Sequence, residues 1–175
     1  MRRRLPGLKA VAWVAATLAA AALLWTLVTV GPSGRDTAAR EAPDFSFPDV
    51  KGRPTALSDF RGKVVLLDFW ATWCEPCLEE MPDLARFYET HKASSFTIVG
   101  VAMDAEGAPV VAPFVRQNGI SYPILVSGGD LPDGYPIPGF PSAFLIDKNG
   151  LIVRRYLGPK SYEELERDLA QLTGG

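Results

Sequence analysis

Apolar and polar positions divide the chain into three stretches with different patterns. Ala10 to Val30 is a run of 21 residues without a charge, preceded by Arg2, Arg3, Arg4 and Lys9. About 20 apolar residues rising 1.5 Å each cross a hydrocarbon core of roughly 30 Å, whereas the apolar core of a secretory leader is about 7–15 residues long. The run therefore reads as an uncleaved transmembrane anchor, with a cleaved signal peptide as the alternative. The basic cluster places residues 1–9 in the cytoplasm and everything after Val30 on the outer face. Residues 31–44 (GPSGRDTAAREAPD) have no hydrophobic period and are rich in Gly, Pro, Ala and charge. They read as a tether with a reach of roughly 20 Å.

From Phe45 onward, strand and helix patterns alternate, which points to an α/β layer structure in one domain, residues 45–175. Phe45 to Phe47 and Thr55 to Leu57 flank a Lys51-Gly52 turn and predict a short extended pair. Lys63 to Ala71 (KVVLLDFWA) is almost continuously apolar, the pattern of a central strand covered on both faces. A helix is expected from Cys74 to His91, with Cys77, Met81, Leu84 and Tyr88 at helical spacing and Pro82 inside it as a source of a kink. Phe96 to Met103 predicts a second buried strand, Ala108 to Asn118 a helix, and Tyr122 to Val126 a third strand. After a proline-rich stretch, Ser142 to Asp147 and Leu151 to Tyr156 flank Asn149-Gly150, a signal for a tight hairpin. Ser161-x-x-Glu164 has the form of a capping box opening a last helix to Leu172.

Charge narrows the function classes. Residues 41–175 carry 12 Lys and Arg against 19 Asp and Glu, a net charge of −7. So acidic a domain is a poor binder of nucleic acid and gains nothing by lying on an anionic lipid surface.

The chemistry concentrates in Trp70-Ala71-Thr72-Trp73-Cys74-Glu75-Pro76-Cys77, which holds the only two cysteines of the chain. Closing so short a loop removes little unfolded-state entropy, so a purely structural disulfide is a weak reading. A closed zinc site needs four ligands, and the chain offers two Cys and the single His91. A Cys-x-x-Cys at a helix N-terminus instead suits thiol–disulfide exchange without a further cofactor or metal. Cys74, at the helix edge, is the expected nucleophile, and Cys77, one turn inward, the resolving thiol.

Glu80 lies one turn beyond Cys77 on the same helix face and is a candidate proton relay; an exposed helical glutamate is the alternative. Asp68 interrupts the apolar strand, and burial would cost several kcal/mol unless it were paired or protonated; a strand-end Asp turned to solvent is the alternative. Glu75 opposes a neighbouring thiolate and so favours a more reducing couple. Pro76 fixes φ in the first helical turn. His91, at the helix end, is expected to be solvated.

The run FSFPDVKGRPTALSDFRGKVVLLDFWATWCEPC from Phe45, together with Gly139-Phe140-Pro141-Ser142-Ala143-Phe144-Leu145-Ile146-Asp147, resembles the membrane-anchored, thioredoxin-like disulfide reductases of the TlpA and ResA family, relatives of the redoxin and peroxiredoxin branch. The resemblance covers nearly all of the outer domain. It implies a thioredoxin-like fold: a central mixed β-sheet flanked by helices, an N-terminal β-hairpin, and a strand and helix inserted in mid-domain. An acid at the Glu80 spacing belongs to this pattern. Asp68 matches the buried acid of thioredoxin, where tethered relatives often have an uncharged residue. Pro141 is implied to be cis and to face the disulfide, with the backbone of Phe140 pairing with an extended substrate; Trp70 and Trp73 are expected to pack around the site. Reduction of disulfides in extracytoplasmic proteins, with apocytochrome c thiols as one substrate class, and a membrane electron donor of the CcdA or DsbD kind complete the expectation. Two rivals remain. A thiol peroxidase would carry Thr three residues before the reactive Cys, where this chain has Ala71. A non-catalytic cytochrome-maturation or copper chaperone would use Cys-x-x-x-Cys with a distant His.

Overall fold

A computed structural model describes residues 40–173. The apolar run 10–30, read as an anchor, and most of the tether lie outside the described residues. Among those described, no helix is long and apolar enough to cross a membrane.

The described chain forms β1 (Arg40–Glu41), β2 (Ser46–Pro48), β3 (Pro54–Ala56), a 3-10 turn (Leu57–Phe60), β4 (Val64–Trp70), α1 (Glu75–His91), β5 (Phe96–Ala102), α2 (Ala108–Gln117), β6 (Ile124–Val126), β7 (Ser142–Ile146), β8 (Leu151–Leu157) and α3 (Tyr162–Thr173). Six strands make one mixed sheet in the order β1-β8-β7-β4-β5-β6, and β2 and β3 form the separate antiparallel hairpin. The tether reading of residues 31–44 is corrected at its end. Arg40 and Glu41 pair with Ile152 and Leu151, giving backbone partners to the outer edge of β8.

β4 is buried at all seven positions and lies between β5, parallel to it, and β7, antiparallel. Alternation sorts its side chains. Val64, Leu66 and Trp70 join one core cluster with Cys77, Met81, Leu84 and Phe87 of α1, Val111 and Val115 of α2, and Leu165 and Leu169 of α3. Val65, Leu67 and Phe69 join the opposite cluster, with Leu57, Phe144 and Tyr135. Asp68 shares the parity of Leu66 and Trp70, so its side chain faces α1.

The expected sheet flanked by helices is thus one-sided: all three helices contribute to one cluster, and the hairpin, the 3-10 turn and the proline-rich segment cover the other face. The parallel order β4-β5-β6 explains it, because two right-handed crossovers advancing in the same direction leave their helices on the same side. Two smaller expectations are also corrected. Phe87, not Tyr88, is the buried aromatic of α1, since the core-facing stripe runs through Cys77, Glu80, Met81, Leu84 and Phe87. The β7–β8 turn keeps only Gly150 at positive φ, 86°. Asp147 Oδ1 accepts from the backbone N–H of Asn149 and Leu151 at 2.9 and 2.8 Å, so the aspartate organises a longer turn than the Asn-Gly pair alone requires.

Gly100 shows how tightly the helical face is filled. It pairs with Asp68 across β4–β5, and a Cβ there would lie 2.7 Å from Ile124 Cδ1, 3.0 Å from Trp70 Nε1 and 3.2 Å from the Tyr122 ring. Gly100→Ala is expected to lower stability by about 1–3 kcal/mol through overpacking, read as a lower urea midpoint at unchanged slope.

Candidate functional site

β4 delivers the chain through Ala71, Thr72 and Trp73 to the start of α1, and the path is held by a residue that the sequence did not reveal. The buried carboxylate of Asp104, two residues past the end of β5, accepts from the Thr72 backbone N–H at 3.2 Å and from its hydroxyl. Cys74 is the N-cap, and its carbonyl accepts from the N–H of Cys77 at 3.0 Å and of Leu78 at 3.2 Å. Cys74 and Cys77 form a disulfide. Glu75 and Pro76, both exposed, occupy the first helical turn; an acid there suits the helix dipole, and proline gives up a donor that has no intrahelical partner.

The Phe140–Pro141 peptide is cis, as the resemblance implied. Its neighbours are fixed from both sides: Ser142 Oγ donates to the Gly139 carbonyl at 2.6 Å, and the Gly158 N–H donates to the Pro141 carbonyl at 2.9 Å. Phe140 lies edge-on to Trp73, with ring centroids 5.8 Å apart. Trp73 is 66 % exposed, while Trp70 is fully buried against Phe114. The two tryptophans expected around the site therefore divide: Trp73 is a surface aromatic beside the disulfide, and Trp70 belongs to the core.

Asp68 and Glu80 are both buried, so the solvent-facing alternatives for them do not hold. What makes burial tolerable is Lys160, in the segment between β8 and α3. Its ammonium donates to Asp68 Oδ1 and Glu80 Oε1, each at 3.1 Å, and its backbone N–H donates to Glu80 Oε2 at 2.8 Å. Lys160 is itself only 2 % exposed. Two acids and one base buried together carry a net charge of −1 when all are ionised and none when one proton is added. Burial, reinforced by the Asp68 carboxylate and opposed by Lys160, pushes Glu80 up to about 7. Burial alone would lower Lys160, but the two carboxylates outweigh it and raise it above the usual lysine range. Tyr122, whose hydroxyl has no hydrogen-bond partner among the described residues, is held well above the usual phenol range by burial and by both acids.

Lys160 left no local signal, because Gly158-Pro159-Lys160-Ser161 reads as an ordinary turn before a helix cap. The only pointer was indirect: an aspartate inside a buried strand demands a cation. His91 corrects a different expectation. Rather than being solvated, it packs on Phe87 with centroids 4.4 Å apart and its Nε2 lies 2.7 Å from Glu166 Oε1. It also sits at the far end of α1, about 26 Å from Cys74 by helical rise, which separates it from the sulfur chemistry.

The raised proton affinity of Glu80 gives a signed pH dependence. A carboxyl whose folded value lies above its unfolded one binds more protons when folded, so its contribution to stability is complete below about 4.5 and is lost as the pH rises toward 7. Asp49, Glu89 and Glu166 are acids held below their usual values, and they act only at lower pH, where acidification removes their contribution. Stability of the disulfide form is therefore expected to rise between pH 7 and pH 4.5, by an amount on the order of 3 kcal/mol from Glu80. Glu80→Gln flattens this slope; urea unfolding at pH 4.5, 6 and 7.5 reads it directly.

Comparison with known proteins places this geometry. The AhpC/TSA family model matches residues 38–155. Thiol-disulfide oxidoreductase ResA of Bacillus thuringiensis subsp. konkukian is 37% identical over 136 residues, covering 77% of this chain and 78% of the relative. Among solved structures, a thiol:disulfide interchange protein of the thioredoxin family from Chlorobium tepidum superposes with TM-score 0.67 at 33% identity, over 77% of this chain and 96% of that one. StoA from Bacillus subtilis superposes with TM-score 0.61 at 30% identity, over 71% and 95%. The chain belongs to the AhpC/TSA family, and with its Cys74–Cys77 pair on a thioredoxin-like fold it is a thiol–disulfide oxidoreductase of the ResA and StoA type.

Proposed function

We propose that the protein is a membrane-anchored reductant that faces away from the cytoplasm and reduces disulfides of extracytoplasmic proteins, among them the disulfide between apocytochrome c cysteines, which it returns to thiols before haem attachment. The single observation that carries this reading is the buried pair of acids, Asp68 of β4 and Glu80 of α1, bridged by Lys160, with Glu80 one turn beyond Cys77 on the same buried face of the helix. An extended substrate segment lies along the Phe140 backbone, and the Cys74 thiolate attacks one of its sulfurs. A mixed disulfide forms, and the first substrate thiolate leaves and takes up a proton. Glu80 then accepts the Cys77 proton, and the Cys77 thiolate attacks Cys74. The second substrate thiolate leaves and is protonated, and the Cys74–Cys77 disulfide closes.

The charge next to the reacting sulfurs sets the direction. Glu75 between the cysteines and the buried cluster, which carries −1 whenever Glu80 is ionised, both disfavour a thiolate at the site, which makes the dithiol a better electron donor. Two electrons leave the domain in each cycle, and a membrane thiol carrier of the CcdA or DsbD kind returns them. The apolar run 10–30 supplies the anchor. The test is direct: the reduced full chain is mixed with an oxidised Cys-x-x-Cys-His peptide, and both partners are trapped with alkylating agent. The proposal expects one peptide dithiol for each Cys74–Cys77 disulfide formed. Net formation of peptide disulfide from a peptide dithiol by the oxidised chain would reverse the direction.

A further inference from the structure

The segment Gly158 to Lys160 touches both halves of the site at once. At one end, the Gly158 N–H holds the carbonyl of cis-Pro141 at 2.9 Å; two residues later, the Lys160 N–H holds Glu80 Oε2 at 2.8 Å and its ammonium bridges Glu80 and Asp68. A surface segment usually carries a lysine with its charge in water, and a lysine this deeply buried needs strong pairing. Here the pairing is complete: one cation sits between the two acids that share the core face of β4 and α1. The groups that act on Glu80 come from several elements. They are Asp68 on β4 and Lys160 between β8 and α3; the Tyr122 hydroxyl just before β6 is in turn acted on by both acids, which suppress its ionisation.

We propose that Lys160 is a positioning residue for the resolving step: its ammonium and backbone N–H orient the Glu80 carboxylate on the Cys77 face of α1 and hold in check the repulsion from Asp68, so that Glu80 takes the Cys77 proton near neutral pH. The inference rests on Glu80 being the relay and deepens that reading. The step balances. The Cys77 S–H bond breaks and the proton goes to Glu80. The Cys77 thiolate forms the S–S bond to Cys74, and the bond between Cys74 and the departing sulfur breaks, releasing that sulfur as a thiolate with the electron pair. Glu80 then returns its proton to solvent.

Two consequences separate this role from simple packing. Without Lys160, Glu80 faces Asp68 with no cation and binds its proton more tightly, so it is already occupied at neutral pH and accepts poorly. If Asp68 is neutralised as well, that repulsion disappears and Glu80 regains its acceptor character. A lysine important only for packing predicts the opposite order, with the double variant no better than the single one.

The experiment uses the reduced full chain and 5,5′-dithiobis(2-nitrobenzoate). Attack by Cys74 releases one thionitrobenzoate; attack by Cys77 on the resulting mixed disulfide releases a second, and the rate of this second phase against pH isolates the step. The wild-type profile is expected to bend near pH 7. Lys160→Met moves the bend upward by about one pH unit and slows the second phase roughly tenfold at pH 7, with the first phase altered less than twofold. The Asp68→Asn/Lys160→Met double variant restores at least half of the lost rate on a logarithmic scale, and Lys160→Arg retains a bend near 7. A Lys160→Met profile that superposes on wild type, or a double variant as slow as the single, overturns the inference. Glu80→Gln tells the two readings apart. If it leaves the bend in place, Glu80 is not the relay and the parent reading fails too; if it removes the bend while Lys160→Met does not shift it, only the role of Lys160 falls.

Discussion

Replacing Cys74 by Ser is expected to lower turnover of protein disulfide reduction by roughly a thousandfold or more, because a serine hydroxyl stays protonated where a thiol at a helix N-terminus ionises. The position of Cys74 as N-cap of α1 is what makes it the attacking sulfur: the backbone N–H groups of the first turn lie on its side, and the macrodipole favours negative charge there. Cys77→Ser has a different signature. It leaves the first attack intact but strands the enzyme as a mixed disulfide with its substrate, which non-reducing electrophoresis resolves as a covalent adduct. Undiminished turnover in Cys74→Ser, or adduct formation through Cys77 in its absence, would contradict the assigned order of the two sulfurs.

The second large effect is structural. Lys160→Met removes the cation shared by two buried carboxylates and is expected to destabilise the disulfide form by about 3–5 kcal/mol at pH 7, the usual cost of breaking a buried ion pair from one side. Met keeps the length and most of the apolar contact of the lysine stem, so the loss reports charge rather than cavity. Asp68→Asn added to Lys160→Met should recover a large part of it, since a neutral pair replaces an uncompensated acid. Denaturant unfolding of wild type, the single and the double variants measures all three on one scale. A loss below about 1 kcal/mol for Lys160→Met would mean that the buried cluster is far better hydrated than its burial implies.

Local pattern carried most of the fold. The continuous apolar run of β4, the Cys-x-x-Cys at the helix start, and the strands Phe96–Ala102 and Ser142–Ile146 lie within a residue or two of where periodicity placed them. What local pattern does not encode is which face of a sheet each helix covers. That follows from strand order, here β4-β5-β6, and strand order is a tertiary property. The same reason divides the site. Cys74, Cys77, Glu80 and Asp68 are legible because a strand and the helix after it put them in register. Lys160 and Asp104 are not, since they come from segments 92 and 32 residues away in sequence from the groups they hold. Phe87 and His91 illustrate a finer limit. An error of one residue, about 100°, in the helical stripe exchanges a fully buried aromatic for a half-buried one, and a histidine at a helix end finds a ring to pack on and a partner in Glu166 of α3.

Glu80 ties these parts together. Its proton affinity near neutrality depends on burial, Asp68 and Lys160 together, so variants at each of the three positions should move the same pH-dependent observable in directions set by their charge. Asp68→Asn alone removes a negative neighbour and is expected to lower the Glu80 midpoint, opposite to Lys160→Met.

The reduction potential of the Cys74–Cys77 couple tests the central claim most directly. The full chain is equilibrated in thiol–disulfide buffers at pH 7 and the two sulfurs are trapped by alkylation. A protein that donates electrons to other disulfides should have a value near thioredoxin's, about −270 mV, whereas a value near −120 mV, the range of a strong oxidant, would contradict the account and make this a disulfide-forming enzyme.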